Sequence, residues 1–312
     1  MSKINKRSPK WYGWQPDLPD HRDLLYSAIA PKPPILPQKI DLQARCSPVE
    51  NQGNLGSCTA NALVGALEFL EIKDRASFVD LSRLFVYYNE RAIEGTVDQD
   101  SGANIRDGVK SLAKQGVCPE KEWPYRIAAF AKRPSIACYK DAKKHEITSY
   151  HRIMTTDEMR TCLADGFPFV FGFTVYTAFE SPAVAKSGML NMPGKNEKVL
   201  GGHAVMCVGY DDTQQRFLVR NSWGADWGKQ GYFTMPYAYL GDRNLSDDFW
   251  TIRVLTEKTV SESRRGPGHT GAHMGPQRYS DTTFGSGKGG TGHVGPSVPR
   301  GSGNVGPMRF GR

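Results

Sequence analysis

The sequence predicts an α+β protein with a helix-rich first half and a strand-rich second half. Apolar residues recur at three- and four-residue steps from Ala62 to Leu70, which is typical of a helix. From about residue 145 to 255 the apolar runs are short and β-branched, and residues 168–175 are the clearest case. After Val260 glycine and proline replace the large aliphatic residues, so the packed part of the chain is predicted to end there.

The first predicted helix begins at Cys58, and Gln52 lies six residues before it. The first turn of a helix has unpaired N–H groups and the positive end of the helix dipole. Both favour a thiolate over a thiol, and the thiolate is the nucleophilic form of cysteine. The sequence therefore predicts a reactive cysteine with a low pKa at this position.

Two more helices follow in the first half. Ser82 is a residue typical of a first helical turn, and the apolar residues that follow it predict a helix from about residue 81. A turn over residues 101–106 then leads into a helix over 107–115. The predicted packed unit, residues 39–258, is long enough to bury a substantial core.

The second half contains a histidine and an asparagine next to predicted strands. His203 lies at the start of a buried strand that ends at Tyr210, and Asn221 follows a second strand over residues 216–220. Cys58 precedes His203 by 145 residues, and Asn221 lies 18 residues further on. This order and this spacing are typical of papain-type enzymes, whose three residues meet only in the folded protein.

The chain resembles the papain-like cysteine peptidases from about residue 35 to 255, as a divergent branch of bacterial type. The segments that carry the resemblance, in order, are residues 51–53, 56–58, 203–205, 209–210 and 221–233. The resemblance implies a papain-like two-lobed fold, with a helical left half, a β-barrel-like right half and the active-site cleft between them.

The resemblance also implies roles for individual residues. Cys58 would be the nucleophile, and His203 would stabilise its thiolate and protonate the departing amine. Asn221 would orient the imidazole, and Gln52 would share an oxyanion hole with the backbone N–H of Cys58. Trp223 would shield the bond between Asn221 and His203 from water. No cofactor and no metal are implied.

Substrate would bind as an extended chain against Gly102 and Ala103, whose backbone pairs with it as an added strand. Three departures from the family pattern leave substrate preference open. Leu55 stands where secreted members have a cysteine, Thr59 where they have an aromatic residue, and Gly202 where they have an aspartate. The fold must therefore do without that disulfide.

The chain has six cysteines, and only Cys58 has a predicted catalytic role. Cys118 and Cys138 flank residues 123–125 and could form a bridge if they are oxidised. Cys207 lies in an apolar strand, which is typical of a buried thiol. The spacing of the cysteines does not match that of a zinc site.

Residues 1–38 are predicted to form a short leader before the catalytic domain. Its three clustered aromatic residues, Trp11, Tyr12 and Trp14, favour burial. In the family a longer propeptide runs through the cleft in the unproductive direction. The leader is either a reduced form of that propeptide, covering part of the cleft, or a structural arm. We expect neither a secretory signal nor a membrane span, so the protein is expected to be cytoplasmic or exported without a cleavable signal.

Residues 259–312 are predicted to form a disordered, basic, low-complexity tail. The tail carries +5 of the chain's formal charge of +8, so the high isoelectric point says little about the substrate. Three imperfect repeats that end in Gly-Pro suggest a partner-binding segment or a solvated linker. Contact with an anionic surface is compatible with this charge, whereas nucleic acid is the less favoured partner.

These observations predict a cysteine endopeptidase that hydrolyses peptide bonds through a thioester acyl-enzyme, with peptides or proteins as substrates. The alternative is a catalytically restricted or inactive papain-like module that binds through its cleft and tail. The presence of Gln52, Cys58, His203 and Asn221 favours the enzyme, because a binding module does not require all four.

Overall fold

A computed structural model describes residues 12–31, 35–75 and 78–254. The predicted tail and residues 1–11, which include Trp11, lie outside the described part of the chain. The helices are α1 (Cys58–Arg75), α2 (Arg83–Glu94), α3 (Ile105–Gln115), α4 (Ile136–Ala142), α5 (Thr156–Ala164), α6 (Pro182–Ser187) and α7 (Tyr237–Gly241). The strands are β1 (Lys39–Asp41), β2 (Ser149–Arg152), β3 (Phe169–Tyr176), β4 (Val199–Asp211), β5 (Arg216–Arg220), β6 (Tyr232–Pro236) and β7 (Ser246–Arg253).

The helical half is organised around α1. Residues 55–71 are buried along their whole length, so α1 is a core helix rather than an amphipathic surface helix. It contacts α2, α3 and strand β4. Because Cys58 is the first residue of α1, this packing brings the thiol to the boundary between the helices and the sheet.

The N-terminus of helix α2 is capped by a side chain, which accepts a hydrogen bond from a backbone N–H of the first turn. Ser82 is its N-cap, and the Ser82 hydroxyl accepts a hydrogen bond from the backbone N–H of Phe85 at 3.1 Å. The helix ends at Gly95, which adopts the left-handed conformation with φ of 73°. Helix α3 begins at Ile105, two residues before its predicted start.

The second half is one antiparallel sheet of seven strands. Its order is β2-β7-β3-β4-β5-β6, and β1 pairs with the end of β4. Strand β4 is 13 residues long, and it pairs with β3 through its first part and with β5 through its last part.

The α+β two-lobed fold is thus confirmed, but the sheet is not a closed barrel. In the described residues the end strands β2 and β6 do not pair with each other. Each instead forms isolated bridges to irregular segments, one for β2 and two for β6, of which the second joins Lys229 to Tyr232. Leu25 pairs with Arg152 of β2, and Met189 pairs with Thr234 of β6. These bridges cover the sheet edges and leave the sheet open.

Candidate active site

Cys58 lies at the end of a loop that the surrounding helices hold in place. The backbone N–H of Gly56 donates to Oδ1 of Asp100 at 2.9 Å, and the Tyr87 hydroxyl donates to the same oxygen at 2.5 Å. The Ser57 and Tyr125 hydroxyls are 2.5 Å apart. These bonds fix the backbone just before the thiol, so the first turn of α1 is presented in one conformation.

His203 and Asn221 meet as the spacing predicts. Nε2 of His203 lies 2.8 Å from Oδ1 of Asn221, and both residues are buried. The same oxygen accepts the backbone N–H of Ser222 at 2.9 Å, which fixes the direction of the Asn221 amide. Asn221 is itself held at the end of β5 by its N–H bond to the Gly231 carbonyl. The ring of His203 therefore has one orientation.

Trp223 lies beside this hydrogen bond. Its ring centroid is 5.1 Å from that of His203, with 33° between the ring planes. Phe179 and Trp227 stand next to Trp223, at centroid distances of 5.0 and 5.2 Å. These aromatic rings place apolar surface beside the imidazole.

Gln52 is joined to the Asn221 segment across the cleft. Oε1 of Gln52 accepts the Ser222 hydroxyl at 2.6 Å, and its backbone N–H donates to the Ser222 carbonyl at 2.9 Å. Nε2 of Gln52 donates to the Leu55 carbonyl at 2.9 Å. The Tyr125 hydroxyl donates to the Gln52 carbonyl at 2.9 Å. The roles of Ser222 and Tyr125 had no signal in the sequence pattern.

The thiol of Cys58 does not have the low pKa that its position in the helix predicts. Burial raises the pKa of Cys58 to about 11, although nearby backbone N–H groups of Ala204, Gly13 and Thr59 oppose the rise. Ala204 follows His203, so the sulfur lies against the histidine strand. Gly13 belongs to the leader, which covers the thiol and excludes water. A buried, neutral thiol is the result.

The leader runs through the cleft and pairs with Ala103. The backbone N–H of Ala103 donates to the Gly13 carbonyl at 2.7 Å, and the Gln15 N–H donates to the Ala103 carbonyl at 3.1 Å. These two bonds make Trp14 a parallel bridge partner of Ala103. The Trp14 N–H donates to the Gly202 carbonyl at 3.0 Å. The leader therefore occupies the backbone that was predicted to bind substrate.

Glycines make this close approach possible. Gly102 adopts a φ of 74°, which favours glycine, and a Cβ there would overlap the Gly13 carbonyl. A Cβ on Gly13 would in turn overlap the Gly56 carbonyl. At Gly202 a Cβ would lie 2.6 Å from the Trp14 carbonyl oxygen. The glycine in place of the family's aspartate thus leaves room for the leader.

A buried ionic cluster holds the leader beyond the cleft. Asp248 is fully buried, and its Oδ2 accepts Trp14 Nε1 at 3.1 Å and the Asp17 N–H at 2.7 Å. Asp17 in turn accepts Trp250 Nε1 at 2.9 Å. Burial, followed by the charge of Asp248, raises the pKa of Asp17 to about 7.

Two arginines complete the cluster. Arg106 makes a bidentate pair with Asp23 of the leader, at 2.9 and 2.6 Å. Arg152 binds Asp248 at 2.8 Å and Asp23 at 3.2 Å. The leader is therefore fixed by its carboxylates as well as by its tryptophan.

The remaining cysteines carry no bridge. All six cysteines are free thiols, and all but Cys46 are buried. Burial raises the pKa of Cys118, and the neighbouring thiol of Cys138 adds to the rise. The described residues contain no cluster of side chains suited to a metal ion. In the same residues, none of the helices has the length and apolar character needed to cross a membrane.

Comparison with known proteins identifies the family of the chain. The family model described as papain family cysteine protease matches residues 36–246. An uncharacterized peptidase C1-like protein of Acanthamoeba polyphaga mimivirus is 46% identical over 222 residues, which is 68% of this chain and 71% of that protein. The cathepsin B-like CP3 of Giardia intestinalis is 30% identical over 205 residues, 60% of this chain and 64% of that protein.

Among solved structures, xylellain, a cysteine protease from Xylella fastidiosa, is similar with a TM-score of 0.75 and 46% identity. The similarity covers 81% of this chain and 100% of that one. The family match spans most of the described residues, including Gln52, Cys58, His203 and Asn221. The chain therefore belongs to the papain family of cysteine proteases.

Proposed function

We propose that the protein is a cysteine endopeptidase that cleaves peptide bonds through Cys58 and is held inactive by its own leader. The observation that supports the chemistry is the arrangement of four side chains around one cleft. The His203–Asn221 bond of 2.8 Å leaves Nδ1 as the imidazole nitrogen for the thiol, and Gln52 lies six residues before Cys58 on the same loop.

The reaction has two stages. The Cys58 thiolate attacks the substrate carbonyl carbon, and the oxyanion that forms receives hydrogen bonds from Gln52 Nε2 and the Cys58 N–H. His203 gives its proton to the departing amine, which leaves a thioester on Cys58. Water then attacks the thioester while His203 takes a proton from it, and the acid product leaves with the thiolate restored.

The leader is an inhibitor rather than a substrate because of the atoms it presents. The backbone N–H of Gly13 lies near the Cys58 sulfur and acts to lower its pKa, while the Gly13 carbonyl accepts a hydrogen bond from the Ala103 N–H. The nucleophile therefore faces an amide hydrogen and not a carbonyl carbon. Departure of the leader would expose the thiol to water and to His203, which lowers its pKa.

Covalent labelling of the full-length chain tests both the reactivity of Cys58 and its inhibition by the leader. An epoxysuccinyl inhibitor of thiol peptidases is added, and adduct formation at Cys58 is followed by intact-mass spectrometry and peptide mapping. We expect slow labelling of the wild type and a rate higher by about tenfold or more for Trp14→Ala, because a buried tryptophan side chain contributes several kcal/mol to packing. Hydrolysis of peptide substrates is measured in parallel.

Two variants serve as controls. Leu18→Ala changes a leader side chain that is 81% exposed, so it should label like the wild type. Cys58→Ala should take no label. If Trp14→Ala reacts no faster than the wild type, the leader does not inhibit. If no folded form labels at Cys58 or cleaves peptides, the protein is the binding module described as the alternative.

A further inference from the structure

Two segments that contact the leader are joined through one side chain, that of Tyr87 in α2. They are the nucleophile loop, residues 52–58, and the substrate turn, residues 101–103. Tyr87 is fully buried, and its hydroxyl donates a hydrogen bond to Oδ1 of Asp100 at 2.5 Å. The same hydroxyl accepts the backbone N–H of Gly102 at 3.2 Å, so it contacts the substrate turn directly.

Asp100 extends this link to the nucleophile loop. Both of its carboxylate oxygens accept the backbone N–H of Gly56, Oδ1 at 2.9 Å and Oδ2 at 3.2 Å. A Cβ on Gly56 would lie 2.9 Å from Oδ1, so glycine allows the loop to come this close. Leu55, the preceding residue, stands where secreted members of the family have a disulfide-bonded cysteine. A hydrogen-bonded carboxylate thus holds this loop without a covalent link.

Arg91 holds the segment that presents Asp100. Its guanidinium is buried, and Nη1 donates to the carbonyl oxygens of Val97 and Gln99 at 2.7 and 2.9 Å. Cζ of Arg91 lies 4.0 Å from the centroid of the Tyr87 ring. Burial, followed by the charge of Asp100, raises the pKa of Tyr87, so its hydroxyl keeps the proton that it donates. The carboxylate and the phenol are therefore both held in place before substrate binds.

The two ends of this link affect different parts of the reaction. Gly56 lies on the loop that supplies the proposed oxyanion donors, Gln52 Nε2 and the Cys58 N–H, so the carboxylate helps to fix those donors. Ala103 follows Gly102 and offers its N–H and its carbonyl to an extended chain, as its two bonds to the leader show. A fixed spacing between the two segments would hold a paired substrate with its scissile carbonyl at the sulfur.

We propose that Tyr87 and Asp100 are positioning residues that set the spacing between the substrate turn and the nucleophile loop. The proposal rests on the proposed peptidase function, and neither residue touches the reacting atoms. Without the Tyr87 hydroxyl the buried N–H of Gly102 would lose its acceptor, so substrate pairing with the turn would weaken. Without the Asp100 carboxylate the N–H of Gly56 would lose its acceptor, so the oxyanion donors would be held less firmly.

Two substrates of different length separate these effects. The enzyme is the full-length Trp14→Ala chain, whose cleft is open under the proposed function. One substrate is a fluorogenic peptide with four residues before the scissile bond, and the other is p-nitrophenyl acetate, which has no peptide backbone to pair with the substrate turn. The ratio of their kcat/KM values cancels the fraction of chains whose leader is docked, because both substrates need an open cleft. Cys58→Ala gives the background rate for each.

Tyr87→Phe removes only the hydroxyl. In the Trp14→Ala chain it should lower the ratio of peptide to acetate kcat/KM about five- to thirtyfold, chiefly through KM of the peptide, because a buried N–H is left without an acceptor. Tyr88→Phe removes the hydroxyl of the next, half-buried residue of α2 and is the matched control. Its ratio should stay within about twofold of the parent chain.

Replacement of Asp100 should affect both substrates instead. Asp100→Ala should lower kcat for the peptide and for the acetate by a similar factor, about threefold to tenfold, because both use the oxyanion donors. Asp100→Asn keeps an acceptor oxygen for the Gly56 N–H and should restore most of the rate. Asp98→Ala changes a carboxylate that is exposed like that of Asp100 and should have no effect.

The outcomes separate this proposal from the peptidase function. If the Trp14→Ala chain takes no label at Cys58 and cleaves no peptide, the peptidase function fails and the positioning proposal fails with it. If it cleaves peptides but Tyr87→Phe leaves the ratio unchanged, only the positioning proposal is overturned. Circular dichroism melting checks that each variant is folded. If Tyr87→Phe does not fold, the Asp100 variants decide, because equal kcat values in Asp100→Ala and Asp100→Asn would overturn the proposal.

Discussion

Gln52 is the residue whose position depends most on its neighbours. Its side chain is fully buried and bonds to the Leu55 carbonyl and to the Ser222 hydroxyl. The first bond fixes where Nε2 lies relative to the Cys58 loop, and the second keeps the amide from rotating. An oxyanion donor is effective only when it is held in place before charge develops.

Removal of this donor should slow the chemical step. For Gln52→Ala in the Trp14→Ala chain we expect kcat to fall by about 10² to 10³, with a small change in KM, because the bond forms only when the oxyanion appears. Steady-state kinetics on one peptide measure both constants. Gln214→Ala removes an exposed glutamine amide and should have no effect. Equal losses in both variants would contradict the role of Gln52.

The Ser222 hydroxyl is expected to act on the reaction through Gln52. Its hydroxyl donates to Gln52 Oε1 at 2.6 Å, and we expect Ser222→Ala to lower kcat by about threefold to tenfold because a typical hydrogen bond contributes about 1 kcal/mol. Ser222→Thr keeps a hydroxyl and should restore most of the rate. A purely structural role would instead lower the melting temperature in both variants without separating their kcat values.

At the scale of elements, the leader is a segment fixed by three kinds of interaction. Backbone bonds join it to Ala103 and Gly202, Trp14 fills a pocket, and Asp17 and Asp23 bind the arginine cluster. Two carboxylates, Asp17 and Asp248, share this buried space. Their mutual repulsion makes docking depend on pH.

Docking of the leader should weaken as the pH rises from about 4 to 7. Burial and the neighbouring charge of Asp248 raise the pKa of Asp17 from 3.8 to about 7, whereas Arg106 and a bond from Trp250 act in the opposite direction. Burial also raises the pKa of Asp248, which Arg152 opposes. The docked leader therefore binds a proton that the free leader releases above its ordinary pKa, so docking is strongest at low pH.

The rate of Cys58 labelling between pH 4.5 and 8 measures this effect. The ratio of the wild-type rate to the Trp14→Ala rate removes the titration of the thiol itself, and we expect that ratio to rise several-fold towards pH 7.5. Asp17→Asn removes the titrating group from the leader. The ratio of its labelling rate to that of Trp14→Ala should therefore change little with pH. A wild-type ratio that falls as the pH rises would contradict the expected weakening of leader docking.

At the scale of the whole molecule, the helical half buries a carboxyl group beside the nucleophile's helix. Glu90 of α2 is fully buried and accepts the Thr59 hydroxyl at 2.8 Å. Burial raises the pKa of Glu90 well above its ordinary value. In the described part of the chain Oε1 of Glu90 has no hydrogen-bond partner, which fits a neutral carboxyl. Thr59, at the position where secreted members of the family have an aromatic residue, thus donates a hydrogen bond to this buried carboxyl group.

Replacement of Glu90 by its neutral isostere should stabilise the protein at high pH. The folded chain keeps a proton on Glu90 that the unfolded chain releases above its ordinary pKa, so wild-type stability falls as the pH rises towards the raised pKa. Thermal melting of Glu90→Gln at pH 5 should match the wild type within about 1 kcal/mol, and at pH 8 the variant should melt higher. Glu146→Gln on the surface should show no such difference between the two pH values.

The sequence predicted correctly the features that depend on neighbouring residues or on an ordered motif. The apolar period that predicts α1 is a property of neighbouring residues, and it places Cys58 in the first turn correctly. The strand that contains His203 and the end of β5 before Asn221 follow from local composition in the same way, although β4 begins at Val199, four residues before its predicted start. The barrel-like half was predicted only by resemblance, and the open sheet depends on how Leu25 and Met189 cap the two edges.

The sequence by itself determined the family, the two halves of the fold and the residues proposed to carry the chemistry, because each has a local pattern or an ordered motif. Only the tertiary structure decided the state of the thiol and the use of the leader. The bonds from Trp14 and Asp17 to Asp248 span 234 and 231 residues. No local pattern encodes contacts at that separation, since they depend on where the sheet brings β7 relative to the cleft. The predicted low pKa of Cys58 was wrong for the same reason: burial by a distant segment outweighs the helix end.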